Sequence, residues 1–401
     1  MFFLGFVATF SVIEILGQQI VILAMLLTIL VIIILKKPKF TFSKFEISYI
    51  CILFAGYIAS LVYGVKYSHV VFISIIISLI TFLLISIIRN ESNDFIFSFI
   101  KGIKFSCIFQ VIWCIAQYIF YNIWKIDINE EIFVNLFNIV QSGEASRYRN
   151  GTMVITGLSQ HPANLIPIII ILYFLVDRWY VKVLCVLIAL GTKNSTAIFT
   201  VLLCLGISFL RTFQKRITLK GILKTGIIVI ILVGVLFIRN DLLEIIVSNI
   251  KHLYSRMFDI SYEYGATASS YVHKRYYTAL FEVWKNTDIF RILFGYGSSC
   301  SGYPFTLLYG QYSNLLSWNV ESNPMNAVYG TGIIGAAVYY FWFINTGVKG
   351  YKIDSRYTYI FFVLFISGIL YDNQFTWVFL TELIIGICIK RKINIFVSLK
   401  D

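Results

Sequence analysis

The chain has 401 residues, 59% of them hydrophobic and only 13% charged, with a mean hydropathy of +0.82. A soluble protein of this size could not cover itself with so little polar surface, so an integral membrane protein is expected, about 12 helices in one domain spanning 1–401. The net charge of +13 would suit nucleic acid if it were spread evenly; its placement along the chain argues for membrane topology instead.

In chain order, apolar runs fall at 2–16, 19–35, 46–65, 70–88, 103–124, 158–176, 179–191, 195–210, 225–238, 325–346, 357–371 and 374–389. Several are shorter than the ~20 residues that cross a bilayer upright, so their ends are soft. The first run has neither a basic n-region nor a small-residue cleavage site and is read as a retained helix. With twelve spans and both termini cytoplasmic, the inside holds 21 Lys and Arg against 7 Asp and Glu, and the outside 12 against 13. That is the positive-inside asymmetry, strongest in the inside loop "RTFQKRITLKGILK". The expected orientation therefore puts both termini in the cytoplasm and the long loops outside. Of seven cysteines, only Cys300 lies in a long polar segment, and no disulfide or metal-ligand spacing emerges.

Most connections are a few residues long, but two external ones are not: 125–157 and 239–323. Long insertions are more often functional than passive. Within the second, "LLEIIVSNIKHLYSRMF" has apolar residues at helical spacing and "SSYVHKRYYTALFEVW" repeats this more weakly; both suit helices lying along the membrane surface. "ILFGYGSSCSGYPF" then breaks the pattern with turn-forming glycines, and "NVESNPMNAVYGTGIIGAAVYYFWFI" runs from a polar turn into a helix with small residues for close packing.

The polar constellations sit at helix mouths. In "SRYRNGTMVITGLSQHPANLIP", Arg147 and Arg149 offer forked donors that match phosphate oxygens, beside Asn150 and Thr152. The bland alternative is a contact with lipid headgroups or with Glu144. His161 precedes Pro162, which suits the first turn of a helix, so it is either a catalytic group or a cap. Arg256, Lys274 and Arg275 lie on the surface stretches and act on a substrate only if they turn inward; otherwise they meet anionic headgroups. Glu321, flanked by Asn319, Ser322, Asn323 and Asn326, is either a general base at the mouth of a helix or a charge that complements the helix dipole. Glu382 lies inside the last span, where an acid is a functional candidate by default, although a bond to Ser or Thr of a neighbouring helix is the preferred reading.

Taken in order, "RYRNGTMVITGLSQHPANL", "TKNSTAIFTVLLCLG", "SRMF…HKRYYTALFEVWKN…LFGYGSS" and "ESNPMNAVYGTGIIG" resemble the blocks of the bacterial O-antigen polymerase and ligase superfamily over residues 145–345. The likeness is greatest to Wzy-type polysaccharide repeat-unit polymerases. The related ligases typically have a histidine where this chain reads Glu321-Ser322-Asn323, which favours polymerase; many relatives have an arginine where this chain has Thr196. The resemblance implies an all-α polytopic membrane glycosyltransferase of the C type, without a metal or other cofactor. Its substrate would be an oligosaccharide on undecaprenyl pyrophosphate, transferred onto a new lipid-linked unit during capsule or lipopolysaccharide synthesis. Arg147, Arg149, Arg256 and Arg275 would then hold the pyrophosphate, Glu321 would be the base with His161 in reserve, and Asn323 and Tyr276 would contact sugar. Membrane lipids and a chain-length regulator are the further partners implied.

Two alternatives remain open from the residues. An O-antigen ligase would perform the same transfer onto a different acceptor. A lipid-linked oligosaccharide flippase would have a similar number of spans, but it should concentrate its charges inside the helical bundle rather than in external loops.

Overall fold

The computed structural model describes residues 1–11, 13–15, 18–62, 68–139, 147–149, 152–159, 161–214, 247, 276–309, 319–372 and 376–398. It is mostly helical, with two short β-hairpins. In lipid every backbone N–H and C=O must be bonded within the protein, and an apolar run meets that condition as a helix.

The chain opens with α1 (Phe2–Val7), followed by a hairpin of β1 (Glu14–Ile15) and β2 (Gln18–Gln19) paired Glu14↔Gln19. The expected span over 2–16 is therefore helical only in its first half: the acid Glu14 interrupts the apolar run, and the chain turns back there to pair with Gln18–Gln19. Next come α2 (Ile20–Lys36), α3 (Lys44–Val62), α4 (Ser68–Ile88) and α5 (Asn93–Ile119), the last continuing through a π-helical turn, Phe120–Trp124. A second π turn, Glu130–Leu136, precedes the antiparallel strands β3 (Arg147–Arg149) and β4 (Thr152–Val154). A 3₁₀ turn, Pro162–Asn164, opens α6 (Leu165–Leu175), which is followed by α7 (Trp179–Gly191) and α8 (Ser195–Gln214). Within the long insertion lie α9 (Leu280–Lys285), α10 (Ile289–Phe294) and α11 (Tyr303–Tyr309). The chain closes with α12 (Asn323–Tyr351), α13 (Ser355–Leu370), α14 (Thr376–Lys390) and the short α15 (Ile395–Ser398).

Among the described residues, four helices are long and apolar enough to cross a membrane, Lys44–Val62, Ser68–Ile88, Asn93–Trp124 and Asn323–Tyr351, and five more apolar helices are shorter. This supports a membrane-embedded helical protein. The run expected at 225–238 and the amphipathic stretch at 242–257 lie outside the described residues, apart from Val247.

The main core is formed by α2, α4, α5, α6, α7, α8, α13 and α14, with α6 buried along its whole length. α1 packs on α5 where Gly5 meets Gly102, and the missing side chains let the two backbones touch. A smaller apolar cluster joins Tyr276, Val283, Tyr296 and Phe305 of the insertion to Val320 and Tyr329.

One end of the bundle is tied together by basic side chains. Arg89 forks onto the buried Glu46 carboxylate, with Nη1 to Oε2 at 3.0 Å, joining the end of α4 to the start of α3. Lys36 pairs with Glu91 at 3.0 Å, and Arg391 donates to Asn93 Oδ1 (2.9 Å) and to the Arg89 carbonyl (2.7 Å). Arg356 holds Asp354 through two hydrogen bonds of 3.0 and 2.7 Å, while Asp354 also caps α13 by accepting from the Arg356 amide. The opposite end carries the segments 120–139, 147–149, 152–159, 276–309 and 319–323 together with His161 and the turn at Tyr371 and Asp372.

Candidate functional site at the mixed-charge end of the bundle

The stretch leading to His161 crosses the top of α5 as extended, buried chain, so its backbone groups need partners. Three buried side chains supply them. Gln117 Oε1 accepts from the Gly157 amide at 2.7 Å, Gln110 Oε1 from the Leu158 amide at 2.8 Å, and Asn129 Nδ2 donates to the Gly157 carbonyl at 3.0 Å. Gly157 turns the chain at φ +62°. His161 then caps the 3₁₀ turn: its Nδ1 accepts from the Ala163 amide at 3.3 Å and lies 3.2 Å from the Tyr371 hydroxyl. A ring nitrogen that accepts from a backbone N–H carries no proton itself, so in the neutral imidazole the proton sits on Nε2 and Tyr371 is the donor. The two rings stack at 5.6 Å with an interplanar angle of 1°.

The insertion reaches the same region through α12. Gly332 sits at φ +70° and ψ −178°, kinking α12 after its first turns. The helix therefore leaves the Tyr329 and Gly330 carbonyls to be bonded from outside: Tyr296 N–H donates to the first at 2.8 Å and Gly297 N–H to the second at 2.9 Å. The fit requires glycine on both sides, since a Cβ on Gly332 would lie 2.2 Å from the Leu293 carbonyl oxygen and one on Gly295 2.4 Å from that of Gly330. Ser74 on α4 donates to Ser298 Oγ at 2.8 Å, which fixes the "GYGSS" turn against the bundle.

Between α3, α4, α12, α14 and this turn lies a cavity of about 200 Å³. Its walls are polar: Ser74, Ser78, Thr81, Ser298, Ser299, Asn319, Asn326, Thr331, Thr376 and one carboxylate, Asp372, with Tyr49, Tyr339 and Phe379 as aromatic walls. Asn326 Nδ2 donates to Asp372 Oδ2 at 3.1 Å. Asp372 follows Tyr371 directly, so the His161 turn, the start of α12 and the end of α13 are linked through two consecutive residues. At the inner side of the cavity, Tyr339 donates to buried Glu382 at 3.0 Å. The neighbour of Glu382 is thus a tyrosine of α12, where Ser or Thr was expected.

At the outer side, Ser322 is the N-cap residue of α12 but does not cap it with its side chain. The Tyr277 hydroxyl donates to the Ile369 carbonyl (2.8 Å), so at 2.6 Å from Ser322 Oγ it must accept from that hydroxyl. Glu321 is half-buried beside Tyr276. Burial raises the Tyr276 pKa, the Glu321 charge raises it further, and a hydrogen bond with the Glu321 backbone partly offsets both. The Tyr276 ring is 2% exposed and packs edge-on against Phe305 at 5.4 Å, so it presents no free face for stacking on a sugar. Asn323 is half-buried and lies against Gly368 of α13.

Of the residues singled out in the sequence, Glu321, Asn323 and Tyr276 gather at the start of α12, and His161 is linked to that region through Tyr371 and Asp372. For Arg147 and Arg149 the backbone alone is described: Arg147 pairs with Val154 and Arg149 with Thr152. Arg256 and Arg275 lie outside the described residues. Sequence reading passed over Tyr371, Asp372 and Ser298. The only signal for the first two was an acid and an aromatic in a connection between apolar runs, and that pattern is too common to point anywhere by itself.

Chemically, closely spaced hydroxyls and amides with aromatic walls and one carboxylate suit a ligand rich in hydroxyl groups, while Asp372 could orient or deprotonate one of them. No cluster of three or more His, Cys, Asp or Glu side chains suited to a metal ion occurs among the described residues. No protein-family model matches the chain, and neither does any curated protein.

Proposed function

We propose that the chain is a Wzy-type polysaccharide repeat-unit polymerase of the bacterial plasma membrane. It would transfer a growing glycan from undecaprenyl pyrophosphate to the terminal sugar of a new lipid-linked unit on the outer face. The observation that carries this reading is the meeting of Ser298 and Ser299 with Asn319, Asn326 and Asp372 around one polar cavity, to which His161 is linked through Tyr371, at the end of the bundle away from the basic side chains. A positive-inside orientation would make that end external.

In the reaction, an acceptor hydroxyl oxygen attacks the anomeric carbon of the glycan while the bond from that carbon to the pyrophosphate oxygen breaks. The hydroxyl proton passes to a base and the electron pair leaves on the lipid pyrophosphate. Arginines stabilise the leaving group: Arg147 and Arg149 from the first external segment, Arg256 and Arg275 from the second. Glu321 takes the proton, with Tyr276 holding its position and His161 as the second base. Asp372, Asn326 and Asn323 orient the sugar hydroxyls.

Arg147→Ala and Arg275→Ala are each expected to abolish long-chain polysaccharide while lipid-linked single units accumulate; normal chain length in both would remove the arginine cradle. Glu321→Gln is expected to cut transfer far more than protein level, and an active Gln variant would exclude Glu321 as the base. A buried acid next to the cavity, Glu382, also suits passage of a lipid-linked oligosaccharide through the bundle, as in a flippase. Elongation by the purified protein in detergent, where there are no two sides to move between, separates the two.

A further inference from the structure

A small pocket lies at the basic end of the bundle, between the ends of α6 and α8 and the starts of α7 and α13, and no step of the proposed transfer uses it. Its volume is about 10 Å³, close to the least that admits one water-sized group. Apolar Phe174 and Ile207 meet three cations there, Lys182, Arg211 and Arg356, and one carboxylate, Asp177. The Asp177 side chain is 62% exposed, so the pocket reaches the surface at that point.

Partners can be assigned to every charge but one. Asp177 accepts from Lys182 at 3.3 Å, and although it also attracts Arg211 and Arg356 across the pocket, its hydrogen bond goes to the lysine. Arg356 forks onto Asp354 and lies over the Phe396 ring at 4.1 Å. Three cations thus face two carboxylates, and the surplus falls on Arg211. Its Nε is buried without an acceptor, and among the described residues its guanidinium makes no hydrogen bond or ion pair. The neighbouring sequence supplies no acid either, since no Asp or Glu occurs between Asp177 and Asp241. The last turn of α8 suits a cation through the helix dipole, but the dipole gives the buried Nε no acceptor. Leaving a charged donor desolvated and unbonded is unfavourable, and an oxyanion seated in the pocket removes that penalty. The wall beside it is fixed in advance: Tyr173 donates to Ser208 Oγ at 3.0 Å, tying α6 to α8 one turn before Arg211.

We propose that this pocket binds a phosphate group, one oxygen entering it to accept from Arg211 Nε, with Lys182 as the second cation beside it. A guanidinium presents forked donors that match phosphate oxygens. With a positive-inside orientation the pocket lies at the height of the lipid headgroups on the cytoplasmic side. An anionic phospholipid and a phosphate compound in solution share this chemistry, and the experiment separates them.

The test is the melting temperature of the full-length, delipidated protein in non-ionic detergent at constant ionic strength. One arm titrates inorganic phosphate, another dihexanoylphosphatidylglycerol, and a control uses dihexanoylglycerol, which lacks the phosphate. A ligand that binds only the folded protein raises the melting temperature by mass action. A saturable rise with a phosphate compound and none with the control is expected, and the arm that responds at lower concentration identifies the source. Arg211→Gln should weaken the apparent affinity about tenfold, as for one hydrogen bond from a charged group, and Arg211→Lys, which keeps the charge but not the fork, by less. Without ligand, Arg211→Gln should melt no lower than the unmodified protein, because the unbonded donor is gone. Lys36→Gln removes a cation of the same end that is already held by Glu91 and should leave the titration unchanged. The absence of a saturable rise with either phosphate compound would overturn the proposal, as would the same titration for Arg211→Gln or an equal loss in Lys36→Gln. So would a ligand-free Arg211→Gln protein that melts lower, since the guanidinium would then be bonded already.

Discussion

His161 and Tyr371 lie with their rings parallel, 5.6 Å between centroids, and the tyrosine hydroxyl 3.2 Å from Nδ1. The contact joins residues 210 positions apart and couples the capped turn before α6 to the carboxylate that lines the polar cavity. Tyr371→Phe keeps the stack and removes the hydroxyl, so transfer should fall by about fivefold, the worth of one ordinary hydrogen bond of ~1 kcal/mol. His161→Ala, which also removes the cap, should lower it further. Polysaccharide chain length in cells and elongation rate in vitro both report this; a fully active Phe variant would show that the hydroxyl contact contributes nothing.

Gly332 holds a backbone conformation essentially restricted to glycine, pressed against the Leu293 carbonyl. Gly332→Ala should destabilise the protein by at least the ~1–3 kcal/mol of the backbone conformation, with the collision adding to it. Gly206, in α8, has nothing within 4 Å of a built Cβ, so Gly206→Ala should leave stability unchanged or raise it. Melting temperatures in detergent compare the two; equal temperatures would contradict the kinked junction.

The Glu46 carboxylate is 1% exposed and compensated by Arg89 and by the Ser43 amide at 2.7 Å. Arg89→Ala strands a buried charge and should cost about 3–5 kcal/mol, whereas the double change Arg89→Ala with Glu46→Gln should recover part of that loss. A single variant as stable as the unmodified protein would mean that the pair is not formed.

Asp354 contributes to the acid limb of stability. Burial would raise its pKa, but the hydrogen bonds and charge of Arg356, with a bond from Asn394, outweigh this and hold the carboxyl below its ordinary value. A group depressed in the folded state contributes stability above its unfolded pKa of about 3.9 and loses it as pH falls through the folded value. Melting temperature should therefore drop below about pH 4, and Asp354→Asn should flatten that part of the profile while lowering the plateau at neutral pH. An unchanged acid limb in the Asn variant would remove this residue from the account.

The membrane character and most helix positions were legible because lipid demands long apolar runs, and such runs are visible in sequence. Helix ends were less so: α5 begins at Asn93, ten residues before the apolar run, because Lys101 and Lys104 can sit on a helix whose charged end faces the interface. The first run failed in its second half for the opposite reason, an acid, Glu14, within an otherwise apolar stretch where the chain turns back as a hairpin. Glu321, Asn323 and His161 were singled out because polar residues at a helix mouth stand out locally. Asp372 was not, because its importance comes from Asn326, Tyr371 and the cavity, contacts that link distant parts of the chain. The pairing of "FGYG" with "YGTG" left a trace as clustered glycines, but the glycines alone do not say which backbone they approach.

The most direct measurement gives the purified full-length protein, in detergent, undecaprenyl-pyrophosphate-linked oligosaccharide extracted from cells that lack it. A ladder of multiples of the starting unit should appear, with free undecaprenyl pyrophosphate released at each step, and folded Asp372→Asn and Glu321→Gln variants should leave the single units unconsumed. Failure of the unmodified protein to elongate them, or an intact ladder from both variants, would contradict a glycan-transfer site at this cavity.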